Sequence, residues 1–577
     1  MRKTLVAVAV IAAGALAYYQ FGGSATGKTD IPGLEYVPAD TALFSVQATP
    51  IDLTAYLSSI GLGPQYYDAQ AQQLFGQMSA DASESQHKFL LDLLQSYMKA
   101  LSTPESLPAV TGVKAQMRSM MYLVGVSPVL KIELADEAAF WKLFDAAEQS
   151  SGFSHVAQQL NAIKYRQYRF THEELTMDLL VTVQQGWATL TLSSDKLDAE
   201  HLALVLQAEK PAQNLANTNY LTDIQQKYQL QSGALAYVST AQFSQVLVSQ
   251  DGNRLAKNLH TLVGEQLSQA FAEWRTPACQ TDVAAITKSW PGLFMDSHFD
   301  VSDAARFKVS SRLLVPTENK ETLTSLAAIR GFVPAHMLNP TQPTLFYTAL
   351  GLDVAQLAPS LGKLWGSMTE PAYSCQPLAD MQQQLKQQNP LAALAMAGMA
   401  SGLQGVSVTI NGVELDPASS NLRNADALVT VSAANARTFF EGLKAFYPPL
   451  ANTKLPAAGE ELDLASVIPE VAVLGVKPIL ALSDAHLLLY VGDKAKAQSA
   501  TVAAEALQKN GLVSFGMDYG QFFQTLQTAM AATGEPVPAE LQQWSGSQMK
   551  MALSLDVDAR AIVLNSQLEV ATAPAKK

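Results

Sequence analysis

A series of short motifs in the first half of the chain recurs in the same order in the second half. The first pair of motifs, Tyr36-Val-Pro-Ala39 and Ala42-Leu-Phe-Ser-Val46, is matched by Phe332-Val-Pro-Ala335 and Thr344-Leu-Phe-Tyr-Thr348. Three further blocks recur with similar spacing: Leu130 to Ala147 with Leu428 to Phe446, Ala188 to Lys196 with His486 to Lys494, and Phe299 to Val315 with Leu555 to Val570. A recurring order of motifs indicates a duplicated unit.

The second of these blocks predicts a strand followed by a capped helix. Asp136 in one copy and Asn435 in the other stand where a side chain can cap a helix, and an aromatic-faced helical stretch follows each. Alternating segments such as Leu553 to Val557 indicate a sheet with one solvated face, which is typical of antiparallel pairing. The sequence therefore predicts an α+β fold with two tandem homologous halves, each an antiparallel sheet covered by helices, after an N-terminal export or anchor helix.

The repeat also divides the chain of 577 residues into segments. Length alone predicts about four domain-sized units, and the repeat reduces these to two halves. The polar stretch after Pro316 is typical of a linker. The predicted segments are 1–21, export signal or anchor; 22–33, flexible tether; 34–316, first repeat; 317–331, linker; 332–572, second repeat; and 573–577, tail.

The first 21 residues have the pattern of an export segment. Arg2 and Lys3 precede an uncharged, mainly apolar run from Thr4 to Phe21, and such a run after a basic start directs export. The run approaches the ~20 residues that span a bilayer and ends in aromatic residues typical of a membrane interface. This favours an uncleaved anchor, with cleavage after Ala15-Leu16-Ala17 as the alternative. We therefore expect a periplasmic protein tethered to the inner membrane.

Residues Gly22 to Thr29 match the phosphate-loop pattern G-x-x-x-x-G-K-T in full. A phosphate loop needs a buried strand before it and a helix after it. Here the export segment precedes the motif, and Pro32-Gly33 would break a helix in its first turn. We interpret the segment as a tether and expect no nucleotide partner. The net charge of −13 likewise argues against nucleic acid, because nucleic-acid binding needs a basic surface.

Cys279 and Cys375 are the only cysteines in the chain. An oxidising compartment permits their pairing as a disulfide. Two buried free thiols are the alternative. A catalytic thiol is disfavoured because neither cysteine has a His nearby in the sequence.

No motif predicts a catalytic, cofactor-binding or metal site. The eight His residues include no pair at helical i+3 or i+4 spacing, and His172-Glu173-Glu174 is followed by Thr176 where a zinc helix requires a second His. The carboxylates Glu173-Glu174 and Glu460-Glu461 with Asp463 are interpreted as solvated loops rather than as opposed catalytic acids. We expect no cofactor, and the low charged fraction of 15% favours a binding role over catalysis.

Two stretches are candidates for contact with lipid. Lys164 to Phe170 interleaves basic and aromatic residues and could meet a phosphate-bearing ligand or a lipid headgroup. The favoured alternative is a solvent-facing strand at a sheet edge. Leu391 to Leu403 is rich in Ala and Met and too short to span a bilayer. It could line an apolar groove, but a buried packing helix is the favoured interpretation.

Two segments carry a resemblance to a known group of proteins. Val37-Pro-Ala-Asp-Thr-Ala-Leu-Phe44 follows the tethered export segment, and Pro277-Ala-Cys279 is followed by Trp290-Pro-Gly-Leu293. These segments resemble uncharacterised exported proteins of Gram-negative bacteria, a domain-of-unknown-function group with a P-A-D-T opening. The resemblance implies an envelope location and carries no particular activity.

The function expected from the sequence is a non-catalytic binding or scaffolding protein of the periplasm. It would bind an envelope protein or a lipid through a cleft or through the paired surfaces of its halves. Two alternatives stay open: a periplasmic hydrolase with its site between the halves, and an accessory subunit of a membrane complex that uses the anchor helix.

Overall fold

The computed structural model describes residues 31–54, 57, 85–172, 175–231, 233–303, 306–340, 344–388, 400, 402–415, 422–444, 453–457, 459–468, 476–533, 536, 538 and 549–571. Contacts divide the chain into two compact units. The first runs to Pro316 and includes Ser374–Leu378, and the second comprises Thr317–Tyr373 and the residues from Ala379 onward. The export segment 1–21 and residues 22–30 of the tether lie outside the described residues.

The first unit contains a ten-stranded antiparallel sheet. Its strands are β1 (Leu43–Asp52), β2 (Gln116–Val124), β3 (Ser127–Glu133), β4 (Val156–Leu160), β5 (Ile163–His172), β6 (Leu175–Gln184), β7 (Trp187–Ser193), β8 (Ala234–Ser239), β9 (Gly292–Asp303) and β10 (Arg306–Pro316). Their pairings give the order β10-β9-β8-β1-β2-β3-β7-β6-β5-β4.

Helices cover both faces of this sheet. They are α1 (Ser85–Ser102), α2 (Leu107–Thr111), α3 (Glu137–Ser151), α4 (Ala199–Val205), α5 (Tyr220–Tyr228), α6 (Thr240–Val248), α7 (Arg254–Val263), α8 (Glu265–Ala270) and α9 (Pro277–Ser289), with short 3-10 turns at Leu34–Tyr36, Pro104–Ser106 and Ala272–Trp274. On one face, Tyr228 of α5 stacks on Phe294 with ring centroids 5.0 Å apart. On the other, Phe89 of α1 stacks on Tyr168 of β5 at 4.6 Å. Aromatic packing therefore fixes helices to both faces of the sheet.

The second unit contains a nine-stranded antiparallel sheet among its described residues. Its strands are β11 (Phe346–Gly351), β12 (Leu403–Leu415), β13 (Leu422–Ala433), β14 (Glu461–Asp463), β15 (Ile479–Leu482), β16 (His486–Val491), β17 (Val513–Asp518), β18 (Met549–Val557) and β19 (Ala561–Ala571). Their pairings give the order β19-β18-β17-β11-β12-β13-β16-β15-β14. The order around β11 is the same as the order around β1 in the first unit.

The helices of the second part of the chain are α10 (Lys320–Ala328), α11 (Ala335–Leu338), α12 (Val354–Thr369), α13 (Gln376–Gln387), α14 (Ala436–Leu443), α15 (Asp493–Ala503) and α16 (Tyr519–Thr533). A 3-10 turn occupies Leu464–Ser466. Helix α15 packs on β16, where Ala495 and Val502 are buried against Leu488 and Tyr490. This packing positions the cavity described below.

The predicted antiparallel α+β architecture is confirmed, and so are the two helix caps. The side chain of Asp136 accepts a hydrogen bond from the Ala139 amide at 3.0 Å, at the start of α3. The side chain of Asn435 accepts one from the Thr438 amide at 2.8 Å, at the start of α14. In each case the cap side chain takes up an amide hydrogen that the first helical turn leaves without a partner.

The segment 317–331, predicted as a linker, contains helix α10. Asn319 caps this helix through the Thr322 amide at 3.1 Å, and Leu323 is buried. A polar segment with one cap residue and one well-placed Leu is enough to form a short surface helix, which polarity alone did not reveal.

Candidate functional site

A cavity of about 520 Å³ lies beside helix α15 in the second unit. It is bordered by β14, β15, β16 and α15, and by residues 483–485 and 505–507. Its volume lies within the range of ~300–1,000 Å³ that is typical of pockets for small ligands. We therefore take this cavity as the candidate functional site.

Small side chains create the space in this cavity. Helix α15 lines it with Ser499, Ala500 and Ala503, whereas Ala495 and Val502 of the same helix are buried in the core. Protein interiors are otherwise close-packed, so a helix face of Ala and Ser leaves a gap that larger residues would fill. The gap is bounded mainly by apolar atoms.

One wall of the cavity carries an ion pair beside a tyrosine. Lys496 Nζ lies 3.0 Å from Glu461 Oε1, and the two side chains are 57% and 44% exposed, so the pair contributes little to stability. The Tyr490 hydroxyl and the Lys496 ammonium both lower the pKa of Glu461. Burial raises the pKa of Tyr490, and its hydroxyl oxygen is enclosed without a hydrogen bond of normal geometry to a described residue.

The opposite wall is formed by Glu505 and fixed by His486. Glu505 Oε2 accepts a hydrogen bond from the Ala335 amide at 3.0 Å, whereas Oε1 is enclosed with no partner among the described residues. Burial raises the pKa of Glu505. His486 Nε2 lies 3.1 Å from the carbonyl oxygen of Glu505, and its Nδ1 lies 2.8 Å from Ser432 Oγ. Burial lowers the pKa of His486, which keeps the ring neutral at neutral pH.

The groups around the cavity are suited to holding a ligand rather than to proton transfer. A general base works best with a pKa near the operating pH, but Glu461 is held ionised beside Lys496 and the pKa of Tyr490 is raised. An enclosed oxygen without a partner costs about 1–3 kcal/mol. A ligand that donates a hydrogen bond to Tyr490 or Glu505 would recover part of that cost.

The structure also shows a buried pair, Ser127 and His201, that sequence reasoning missed because 74 residues separate them. Ser127 Oγ lies 2.8 Å from His201 Nε2, and the two residues are only 3% and 1% exposed. Nδ1 of His201 has no partner among the described residues. A catalytic pair needs access for substrate and a group that orients the imidazole. We therefore interpret Ser127 and His201 as part of the core.

The structure brings Cys279 and Cys375 together in the first unit. Their Sγ atoms are 2.04 Å apart, both side chains are completely buried, and neither thiol is free. Asp282, three residues after Cys279 in α9, accepts hydrogen bonds from the amides of Ser374 and Cys375 at 2.7 and 2.8 Å. A carboxylate hydrogen bond therefore reinforces the link between α9 and the Ser374–Leu378 segment.

The basic and aromatic stretch from Lys164 to Phe170 lies in β5. Strands β4 and β6 pair with β5 on its two sides, so the prediction of an edge strand is wrong. Arg166 forms an ion pair with Glu148 at 3.3 Å, and Arg169 forms one with Asp178 at 2.9 Å. These carboxylates are remote in sequence from the Arg residues that they neutralise, and a phosphate-bearing ligand at this stretch would have to compete with them.

The carboxylates from Glu460 to Asp463 are more ordered than the solvated loop predicted for them. Glu461 and Asp463 lie in β14. Asp463 caps the next 3-10 turn by accepting a hydrogen bond from the Ala465 amide at 2.9 Å. Glu460 accepts one from the Ala457 amide at 3.0 Å. Their roles in turns and caps separate them from one another, so they do not form an opposed catalytic pair.

Several of the predicted features lie wholly or partly outside the described residues. These are the export segment 1–21, the phosphate-loop pattern from Gly22 to Thr29, the Glu173-Glu174 pair and most of the apolar stretch 391–403. His172, next to the Glu pair, lies opposite Leu175 at the end of the β5–β6 hairpin. Within the part of the chain that the structure describes, no group of three or more His, Cys, Asp or Glu residues is placed to hold a metal ion.

Comparisons with models of protein families, with characterised proteins and with solved structures gave no match to this chain. Among the described residues, no helix is both long and apolar enough to cross a membrane. The geometry of the described residues therefore carries the functional inference.

Proposed function

We propose that this chain is a non-catalytic binding protein of the cell envelope that holds a small, mainly apolar ligand in the cavity beside α15. The observation that carries the proposal is the cavity itself, about 520 Å³ in volume and lined mostly by small apolar side chains. Tyr490 and Glu505 each add an enclosed oxygen with no described partner. A lipid-derived molecule with an apolar body and one hydrogen-bond donor fits this chemistry.

The proposed location is the periplasm, with the chain tethered to the inner membrane by an uncleaved N-terminal helix. The basic start and apolar run of residues 1–21 support export. The pairing of Cys279 with Cys375 supports an oxidising compartment.

The proposed origin of the two units is an internal duplication, with the first repeat at 34–316 and the second at 332–572. The shared strand order around β1 and β11 supports this proposal. The caps at Asp136 and Asn435 support it as well, because each follows a strand at the same place in that order.

Filling the cavity tests the proposed function. Ala503 lines the cavity, and Ala503→Phe would place a ring where the ligand is expected to lie. With N-phenyl-1-naphthylamine as a fluorescent apolar probe, we expect the affinity of the full chain to fall on the order of tenfold, which corresponds to about 1.4 kcal/mol. Fluorescence titration measures the affinity, and circular dichroism checks the fold.

The matched control is Ala497→Phe, because Ala497 lies on the exposed side of the same helix. This variant should bind the probe as the wild type does. Native mass spectrometry of protein extracted from the envelope gives a second readout: an adduct on the wild type should be lost from Ala503→Phe. Equal probe affinity in wild type and folded Ala503→Phe would contradict the proposal.

A further inference from the structure

Cations and aromatic rings alternate on one face of the sheet in the first unit. Lys131 Nζ lies 5.9 Å from the ring centroid of Tyr36 and 5.5 Å from that of Trp187. On the outer sides, Lys210 Nζ lies 5.3 Å from the Tyr36 centroid and Arg118 Cζ lies 5.7 Å from the Trp187 centroid. We call these five residues the cation–aromatic cluster. Rings attract cations through their negative faces, so each ring holds two cations together.

Lys131 is the buried centre of the cation–aromatic cluster. Its residue is only 8% exposed, and its ammonium makes no hydrogen bond or ion pair with a described residue. Burial lowers the pKa of Lys131 to about 8, against the opposing effect of Glu35. Buried charges are normally paired, because removing a charge from water is costly. A Lys kept in such a place without a carboxylate bonded to it marks a candidate anion site.

The carboxylates around the cation–aromatic cluster are already shared. Glu133 lies 2.8 Å from Arg118 and 2.6 Å from Lys114, and these cations hold the pKa of Glu133 at about 2. Glu35 lies 3.6 Å from Lys210. Four cations, counting Lys114, thus face two carboxylates, and two positive charges remain unbalanced.

We propose that the cation–aromatic cluster binds a phosphate group, with the ammonium of Lys131 as its central contact. A phosphate group brings one to two negative charges and several strong acceptor oxygens, which matches the unbalanced charge. The group could belong to free phosphate or to a lipid headgroup. The site lies in a different unit from the cavity beside α15, so it stands independently of the proposed function.

Gly33 keeps the space beside the ammonium open. Its φ of 90° lies in the left-handed region, and a Cβ added there would come within 3.2 Å of Lys131 Nζ. A side chain at position 33 would therefore be strained in its backbone and would crowd the group that meets the phosphate.

The test compares the full-length wild type with Lys131→Met and Lys142→Met. Lys142 is exposed on α3 and lies outside the cluster, so its removal changes the net charge equally. By calorimetry with inorganic phosphate, we expect saturable binding to the wild type and to Lys142→Met, and at least a tenfold loss of affinity in Lys131→Met. As a second measurement on the wild type, phosphate should slow the acetylation of Lys131 by acetic anhydride and leave Lys142 unaffected.

A vesicle arm separates the two sources of phosphate. Vesicles of neutral lipid carrying phosphatidylglycerol are compared with vesicles in which oleate supplies the same negative charge. Binding to the phosphatidylglycerol vesicles that exceeds binding to the oleate vesicles and depends on Lys131 supports a lipid headgroup. Binding of inorganic phosphate alone supports a free phosphate. Absence of both, or binding that is unchanged in Lys131→Met together with no protection from acetylation, overturns the proposal.

Discussion

Buried histidines make the stability of this fold sensitive to acid. His201 is 1% exposed and His486 is completely buried, and each lies 2.8 Å from a Ser hydroxyl. Burial lowers the pKa of both rings. The charged imidazolium is disfavoured in these places because it would lose its water without gaining an acceptor.

Acid should therefore destabilise the protein through His201. Its pKa is about 4 when folded and about 6.5 when unfolded. Between these values the unfolded chain binds more protons, so the stability contribution is complete above pH 6.5 and is lost as the pH falls toward 4. For one group, the free energy of unfolding changes by up to about 1.4 kcal/mol per pH unit. Urea unfolding between pH 7 and pH 4.5 measures this slope.

The variant His201→Gln should show a smaller slope than the wild type over the same pH range, because Gln takes up no proton. His87→Gln is the control, since His87 is exposed on α1. If His201→Gln kept the wild-type slope, the acid sensitivity would have to arise from other groups.

At the residue scale, sequence could predict partners only where the choice was small. Two cysteines in an exported chain allow one pairing. The contacts of His201 and Lys131 depend instead on strands and helices that are remote in sequence. One local signal was present in β3: Lys131 shares the alternation phase of Val129, which is fully buried. A Lys in the buried phase of a strand identifies a residue that deserves a partner search.

At the element scale, helix starts were predictable because capping is a local interaction. Asp136 needs only the amide three residues further on, and sequence spacing shows that distance directly. Asp136→Ala should lower the free energy of unfolding by about 1 kcal/mol, because the amide of Ala139 loses its acceptor. Asp136→Asn keeps an acceptor oxygen and should change stability by much less. Urea unfolding compares the two, and equal losses would contradict a capping role.

Strand faces were less predictable than helix starts. The sequence match equates Phe44 with Phe346, but Phe44 is completely buried, whereas in the second strand Tyr347 is buried and Phe346 lies half-buried beside Phe515. Successive side chains of a strand point to opposite faces, so an alignment error of one residue reverses the assignment. The position of β5 within the sheet failed for a related reason. Its neighbour β4 is a mostly exposed, polar strand with no alternation to reveal it.

At the scale of the whole molecule, the order of motifs predicted an antiparallel α+β architecture but not the cavity. The cavity depends on small residues of α15 and on residues 505–507, which lie together only after the helix packs on β16. An Ala-rich helix has the same sequence pattern whether its neighbour fills the space or leaves it open. Volume is a property of packing, and no local pattern encodes it.

Loss of the disulfide should destabilise the chain strongly. Cys279 and Cys375 are 96 residues apart, and closing a loop of this length is worth about 4–5 kcal/mol in the chain-entropy model. The double variant Cys279→Ser with Cys375→Ser should therefore unfold at a lower urea concentration than the oxidised wild type. Reductant should bring the wild type to the midpoint of the variant. Coinciding midpoints for the variant and the oxidised wild type would contradict this expectation.

The disulfide also determines what limited proteolysis would produce. The stretch between Cys279 and Cys375 contains Pro316–Thr317, where the first compact unit ends and the second begins. A protease that cuts one peptide bond there leaves two fragments joined through sulfur. They would migrate as one species on a gel without reductant and separate only after reduction. A single nick at this boundary therefore does not release the second unit from the part of the chain that carries the N-terminus.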